Sequence, residues 1–237
     1  MKKRLLWSLL TLTFSLSSFA TEDKLIIGRD ERQQITRWNK TNAHESIGLI
    51  FYRAPSGLTY ICTGTVIGPR HVVTAAHCID PRVRSYYFIP GSVSKIYTDI
   101  DNKVPKNAFE SIAAIGYPGF TKDTAKETDV GIIIFPNDLN VPILPIKITD
   151  QSSEQISLAG YPQDKPLGTM WEGTGIMSDG AYKIDTFGGQ SGSAVRNTNN
   201  EIIGIHSHGH NVLVRNFACL FRQQHIDFLE KFLRSYR

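Results

Sequence analysis

Short runs rich in Val, Ile, Tyr and Phe recur along this chain, and clusters of Gly, Pro, Asn and Asp separate them. The runs are Ile47–Arg53, Thr59–Ile67, Tyr86–Ile89, Val130–Phe135, Ile156–Tyr161, Ala194–Val195 and Ile202–His206. Breaks such as Ala54-Pro55-Ser56-Gly57 and Arg196-Asn197-Thr198-Asn199-Asn200-Glu201 lie between them. That spacing suits an antiparallel barrel or sandwich. A helix is expected only at the end, where Ile226, Leu229, Phe232 and Leu233 repeat at helical spacing from Gln223 onward.

The first twenty residues stand apart. Lys2, Lys3 and Arg4 precede an apolar run from Leu5 to Leu16, and Ser18-Phe19-Ala20 supplies small residues at the cleavage positions. This is the layout of a secretory signal peptide, too short for a membrane anchor. Residues 21–237 are expected to form the exported domain, secreted or periplasmic. Three of the 26 Lys and Arg residues lie in the leader; without them 23 cations face 22 Asp and Glu, a net charge of +1. No basic block remains for nucleic acid or an anionic membrane. Export permits a disulfide. Cys62 and Cys78 flank two expected strands and could be bridged, which leaves Cys219 a buried free thiol.

Three stretches carry candidate chemistry, and each alone has a bland reading. His77 sits in V-V-T-A-A-H-C, with no second Cys or His at zinc spacing. Asp129 directly precedes the buried-type run V-G-I-I-I-F, where a carboxylate needs hydrogen bonds to be tolerated. Gly189-Gln190-Ser191-Gly192 could be a Gly/Ser turn. It could equally aim the amides of Gly189 and Ser191 at one spot beside a serine hydroxyl, which needs a base to become a nucleophile.

Taken together, C-T-G-T-V-I-G-P-R-H-V-V-T-A-A-H-C, D-V-G-I-I-I and G-Q-S-G-S make the chain resemble the chymotrypsin-like serine peptidases over about residues 26–233. The resemblance implies an all-β fold: two six-stranded antiparallel β-barrels, about 26–140 and 141–237, with a C-terminal helix. It implies Ser191 as nucleophile, His77 as general base then acid, and Asp129 holding the imidazole. Gly189 and Ser191 would form the oxyanion hole. No cofactor or metal is called for, the partner is a protein or peptide substrate, and a monomer is the default.

Departures narrow the branch. Vertebrate-type members carry Asp just before the serine, to pair with a new N-terminal amine; here that position is Gln190. With Ser193, I-I-G-R-D-E-R-Q-Q-I-T and T-M-W-E-G-T-G at 169–175, the chain is similar to the bacterial glutamyl endopeptidases. By that likeness His206 and Thr186 would meet a substrate carboxylate, giving cleavage after Glu and perhaps Asp. Ser207-His208-Gly209 would pair with the substrate backbone. Trimming around Lys24–Ile26 would produce the active form. Asp185 argues the other way: its offset from Ser191 is where trypsin-like enzymes hold Arg or Lys, and a carboxylate there would repel Glu. Basic specificity through Asp185 is one rival, and a non-catalytic exported binding protein or toxin-like adhesin is another. His206, His208 and His210 alternate, but Gly209 is expected to break that strand before the three share a face.

Overall fold

The computed structural model describes residues 25–235, so the leader and Lys24, the first residue of the expected trimming stretch Lys24–Ile26, lie outside the described residues. Fourteen strands follow in order: β1 Gln33–Ile35, β2 Ile47–Arg53, β3 Thr59–Gly68, β4 His71–Thr74, β5 Tyr87–Pro90, β6 Phe109–Glu110 and β7 Ala113–Gly116. Then come β8 Gly131–Ile134, β9 Ser153–Gly160, β10 Met170–Ser178, β11 Ala181–Tyr182, β12 Ala194–Arg196, β13 Ile202–His210 and β14 Arg215–Leu220. Three helices punctuate them: α1 Asn42–Glu45, α2 Ala125–Thr128 and α3 Gln223–Ser235.

The strands form two antiparallel sheets. In the second, β9, β10, β11, β14, β13 and β12 pair in a ring that β9–β10 closes, a six-stranded barrel. Strand β1, from the far N-terminus, pairs with the start of β10. The first sheet runs β6-β5-β2-β3-β4-β8-β7. Its two edges are successive pieces of one bent segment, in which Ser111 N–H donates to Tyr86 and Ile112 N–H to Ile134. The expected six-strand count of this barrel becomes seven because that last strand is broken at Ser111-Ile112. Helix α3 covers the predicted stretch and buries Leu229, with Ile226, Phe228, Phe232 and Leu233 packed against the main core.

The core joins the sheets. Ile50, Val66, Val72, Phe88, Ile132 and Phe135 of the first pack with Ala194, Ile202, Ile205 and Phe221 of the second. A second cluster sets Ile47, Leu49 and Phe51 against Ala159, Tyr161 and Met170. Each such side chain contributes about 1.5–3 kcal/mol of burial, so the groove between the sheets is fixed by apolar packing beneath it. Cys62 and Cys78 form a disulfide, and Cys219 is a buried free thiol. No helix among the described residues is long and apolar enough to cross a membrane.

One largely buried charge cluster ties α1 to the second sheet. Glu172 of β10 accepts from His44 Nε2 of α1 at 3.2 Å and from Arg196 of β12. Burial alone would raise the Glu172 pKa, but the His44 hydrogen bond and the Arg196 charge outweigh it and hold it below the ordinary glutamate value. A depressed folded pKa stabilises the fold above the unfolded glutamate range, and that stability is lost as pH falls through the folded value. Glu172→Ala leaves the Arg196 side chain, 2% exposed, without its carboxylate. We expect a loss of about 3 kcal/mol in urea unfolding at neutral pH. The difference from wild type should shrink in acid, where the wild-type carboxylate is itself protonated.

Candidate active site

His77 sits on a single 3-10 turn, Ala76–Cys78, just past the end of β4. The Cys62 disulfide to the next residue ties this turn to β3. Asp129 caps the C-terminal end of α2, two residues before β8 begins, and its side chain is wholly buried. Its Oδ1 accepts the His77 amide at 2.9 Å, and its Oδ2 accepts the His77 Nδ1–H at 2.7 Å. Ser207 Oγ–H donates to the same Oδ2 at 2.6 Å. Burial would raise the Asp129 pKa, yet the His77 charge and these hydrogen bonds prevail and keep it below the ordinary aspartate value. With Nδ1 committed to the carboxylate, Nε2 is the ring nitrogen able to take up a proton.

Helix α3 braces the Asp129 loop. His225 Nδ1 accepts the Arg222 amide at 3.0 Å, so its Nε2 carries the hydrogen that goes to the Glu127 carbonyl at 2.7 Å. Burial lowers the His225 pKa, which favours this neutral tautomer.

The Ser191 loop belongs to the second barrel but is stitched to the first. Thr63 N–H donates to the Ser191 carbonyl at 2.8 Å, and Thr63 Oγ–H donates to the Gly189 carbonyl at 2.8 Å. Gly189 and Gly192 have φ of +95° and +83°. A Cβ on Gly192 would stand 2.2 Å from Thr74 Oγ1 and 2.3 Å from the Thr63 carbonyl, so the chain after the serine must be bare to lie this close. Among the described residues, neither the Gly189 nor the Ser191 amide donates to a protein acceptor. A cavity of about 310 Å³ adjoins the loop, lined by Ile61, Ile100, Tyr161, Gln163, Lys165 and Leu167.

Strand β13 forms one wall. Its pairing with β12 ends at Ile205, so Ser207-His208-Gly209 lies beyond the reach of that neighbour, with His208 and Gly209 still paired to β14 and Ser207 the extra residue of the irregularity. Gly209 stays in the strand, contrary to the sequence reading; the irregularity falls between His206 and His208. That extra residue interrupts the two-residue alternation, so His206 is buried, His208 stacks on Phe217 at 5.4 Å and His210 is exposed. His206 Nδ1 meets Tyr182 Oη at 2.6 Å. Burial first, then the charges of His77 and His208, lower the His206 pKa to about 3, leaving a neutral imidazole.

Two pocket expectations change. Thr186 Oγ–H donates to Asn216 Oδ1 at 2.9 Å, and Asn216 Nδ2 is held on the Ile184 carbonyl at 2.6 Å. The Thr186 hydrogen is therefore committed to Asn216 rather than offered to a substrate. Asp185 accepts the Ile27 amide at 2.7 Å and the Glu31 amide at 2.9 Å, one on each oxygen. It anchors the N-terminal segment, and its assignment as the carboxylate that meets Arg or Lys does not fit this placement. Ser207, expected as part of the substrate-pairing edge, also uses its hydroxyl on Asp129. Sequence reasoning passed over Thr63, Tyr182, His225 and Asn216, and in the run T-Y-I-C-T-G-T-V-I nothing sets Thr63 apart from Thr59 and Thr65.

Comparison with known proteins gives a consistent result. A family model described as Trypsin matches residues 35–220. Glutamyl endopeptidases of Staphylococcus aureus are 32% identical over 197 residues; for strain MRSA252 this covers 77% of this chain and 52% of the relative. The chain thus spans about half the length of the curated relatives it matches. Among solved structures, a Glu endopeptidase in complex with MPD aligns with a TM-score of 0.75 at 23% identity, covering 89% of this chain and 100% of that one. A thermostable serine protease, AL20, aligns with a TM-score of 0.67 at 15% identity, over 82% of this chain and 100% of that one. These structural likenesses carry the chymotrypsin-like fold.

Asp185→Ala should leave the Ile27 and Glu31 amides without an acceptor. We expect their hydrogen exchange to accelerate by about tenfold or more, read by mass spectrometry of peptides covering residues 25–35. Exchange as slow as in wild type would show that the carboxylate does not hold this segment.

Proposed function

The chain belongs to the trypsin family of serine peptidases, and from that premise we propose that it is an exported endopeptidase that cleaves after Glu, and less readily Asp, through an acyl-enzyme. The observation that carries the reading is the buried Asp129 carboxylate gripping His77 at two points beside the Ser191 loop. Ser191 Oγ attacks the scissile carbonyl carbon and passes its proton to His77 Nε2. The Gly189 and Ser191 amides receive the developing oxyanion, while Asp129 stabilises the imidazolium. His77 then protonates the leaving amine, the C–N bond breaks, and water releases the acyl group with the roles reversed. An extended peptide would add to β13 along Ser207-His208-Gly209, and His206 would donate to the substrate carboxylate.

Charge supports Glu over Arg or Lys. Both oxygens of Asp185 accept backbone amides of the N-terminal segment, so the carboxylate that the basic reading needs is turned toward Ile27 and Glu31. The Tyr182 phenol is buried and its pKa is pushed up, so it keeps its hydrogen and can donate it to His206 Nδ1. That leaves a hydrogen on Nε2, a neutral donor suited to a carboxylate.

A fluorophosphonate should label Ser191 in the wild type, and Ser191→Ala should abolish both labelling and peptide hydrolysis. Paired peptides differing only before the scissile bond should be cut after Glu, more slowly after Asp, and not measurably after Arg or Lys. Hydrolysis confined to Arg or Lys would overturn the assignment. Because burial lowers the His206 pKa to about 3, no His206 imidazolium disappears between pH 6 and 9. The preference for Glu over Gln should therefore stay flat across that range; a ratio that falls as pH rises through 7 would point to a charged histidine instead.

A further inference from the structure

We propose that Arg32 is a positioning residue for the oxyanion loop, acting through Gln190. The inference rests on the reading of Ser191 as the nucleophile and adds a part to that site from the opposite end of the chain.

Arg32 lies just ahead of β1, and its side chain has no exposed surface. All five of its N–H groups are used. Nε donates to Asp30 Oδ1 at 2.9 Å and Nη2 to Asp30 Oδ2 at 2.9 Å. Nη2 also donates to Asp164 Oδ2 at 2.6 Å and Nη1 to Asp164 Oδ1 at 3.2 Å. Two carboxylates thus fix the guanidinium plane by paired contacts, the geometry that suits arginine and not lysine. Lys165 Nζ reaches Asp30 Oδ2 at 2.8 Å, so two cations face two acids and the cluster balances. The remaining N–H, on Nη1, is aimed at Gln190 Oε1 at 2.9 Å.

That oxygen has a second donor, the Phe187 amide at 3.0 Å. Two donors on one atom settle which end of the amide it is. The other end, Gln190 Nε2, is buried with no hydrogen-bond partner among the described residues, so the site is built for the carbonyl alone. The Gln190 backbone amide also donates, to the Phe187 carbonyl at 3.0 Å. Main chain and side chain of Gln190 therefore close the same turn, and that turn contains Gly188 and Gly189. The Gly189 amide, at a φ of +95°, is held in place by this closure.

Without Arg32 the Gln190 carbonyl keeps only the Phe187 amide, and rotation of the Gly188–Gly189 peptide is opposed only by the Gln163 amide on the Gly188 carbonyl at 2.7 Å and the Thr63 hydroxyl on the Gly189 carbonyl at 2.8 Å. Glycine offers no side-chain resistance to such a rotation. The residue before the serine is uncharged, so the fixed cation meets a dipole rather than an acid. The N-terminal segment carrying Arg32 is anchored independently, by Leu25 paired to Thr186 through two 3.0 Å hydrogen bonds and by the Asp185 carboxylate. A wandering oxyanion donor would weaken the transition state and leave ground-state substrate contacts along β13 intact.

The test uses the full-length mature protein with Arg32→Gln, Gln190→Met and the double variant. Gln190→Met keeps side-chain length, removes the acceptor and leaves both acid pairs of Arg32 untouched, so it remains informative if Arg32→Gln does not fold. We expect each single variant to lose about tenfold or more in kcat with KM within about twofold. Affinity for a peptide aldehyde, whose adduct with the serine carries the same oxyanion, should fall by the same factor. The double variant should lose no more than either single one. A folded Gln190→Met with wild-type kcat and aldehyde affinity, or a loss confined to KM, would overturn the proposal. Failure of a fluorophosphonate to label the wild type would instead overturn the nucleophile reading, and this inference with it.

Discussion

Thr63 uses every polar atom it has at the place where the candidate site stands, its amide and hydroxyl joining the two sheets and its carbonyl tying β3 to β4. Its amide meets the Ser191 carbonyl, its hydroxyl donates to Gly189 and accepts from the Tyr161 amide, and its carbonyl accepts the Thr74 hydroxyl. The residue is fully buried, so each of these bonds is made where an unmade one would cost about 1–3 kcal/mol. Its neighbour Cys62 carries the disulfide to Cys78, next to His77. One β3 dipeptide therefore sets the serine loop by hydrogen bonds and the histidine turn by a covalent bond. Apolar packing between the sheets brings the pieces near; this polar seam fixes their register.

The same logic governs the charges. A carboxylate at zero exposure is tolerated at Asp129 because three donors converge on it, and it cannot be traded for a neutral group without orphaning them. Glu172 and Asp185 follow the rule with different partners, an ion pair in one case and two backbone amides in the other. Histidines at positions 206 and 225 go the opposite way: burial strips their charge, and a neighbouring hydroxyl or amide selects the tautomer. The region around Ser191 thus holds fixed dipoles, the ionised Asp129 and the paired charges of Arg32, Asp30, Asp164 and Lys165, and fixed groups of this kind can receive a developing negative charge without reorganising.

Much of this architecture was legible in the sequence, for identifiable reasons. Strands buried on both faces, such as V-G-I-I-I-F, read as apolar runs. The terminal helix announced itself by its period. Strand β10, M-W-E-G-T-G-I-M-S, did not, because one face carries the polar Glu172, Thr174 and Ser178 and the other carries Gly173 and Gly175, against which Ile184 packs. Strand β14 is short and opens on Arg215-Asn216, which look like turn residues; yet Asn216 is buried and holds Thr186 and Ile184 together. For the site, residue types in chain order were enough to nominate His77, Asp129 and Ser191. Partners that act through long-range hydrogen bonds were invisible, since Arg32 and Gln190 lie 158 residues apart.

Asp185 marks the limit of reading a site by offset alone. Its distance along the chain from Ser191 suggested a pocket carboxylate, but offset fixes only where the backbone goes. What decides the side chain is competition for it, and here two backbone amides of the N-terminal segment outbid an open pocket, because both would otherwise be left without acceptors in a half-buried setting. The repulsion that Asp185 would impose on a glutamate is thereby screened by donors already in contact. His206 faces the converse problem. Charging it would give a stronger attraction for a carboxylate, but burial and the neighbouring His77 oppose the proton, so under the proposed function recognition through it would rest on a directed hydrogen bond. A hydrogen bond of fixed direction discriminates by length as well as by charge, which is the reason to expect the proposed enzyme to cut faster after the longer acidic side chain than after the shorter one.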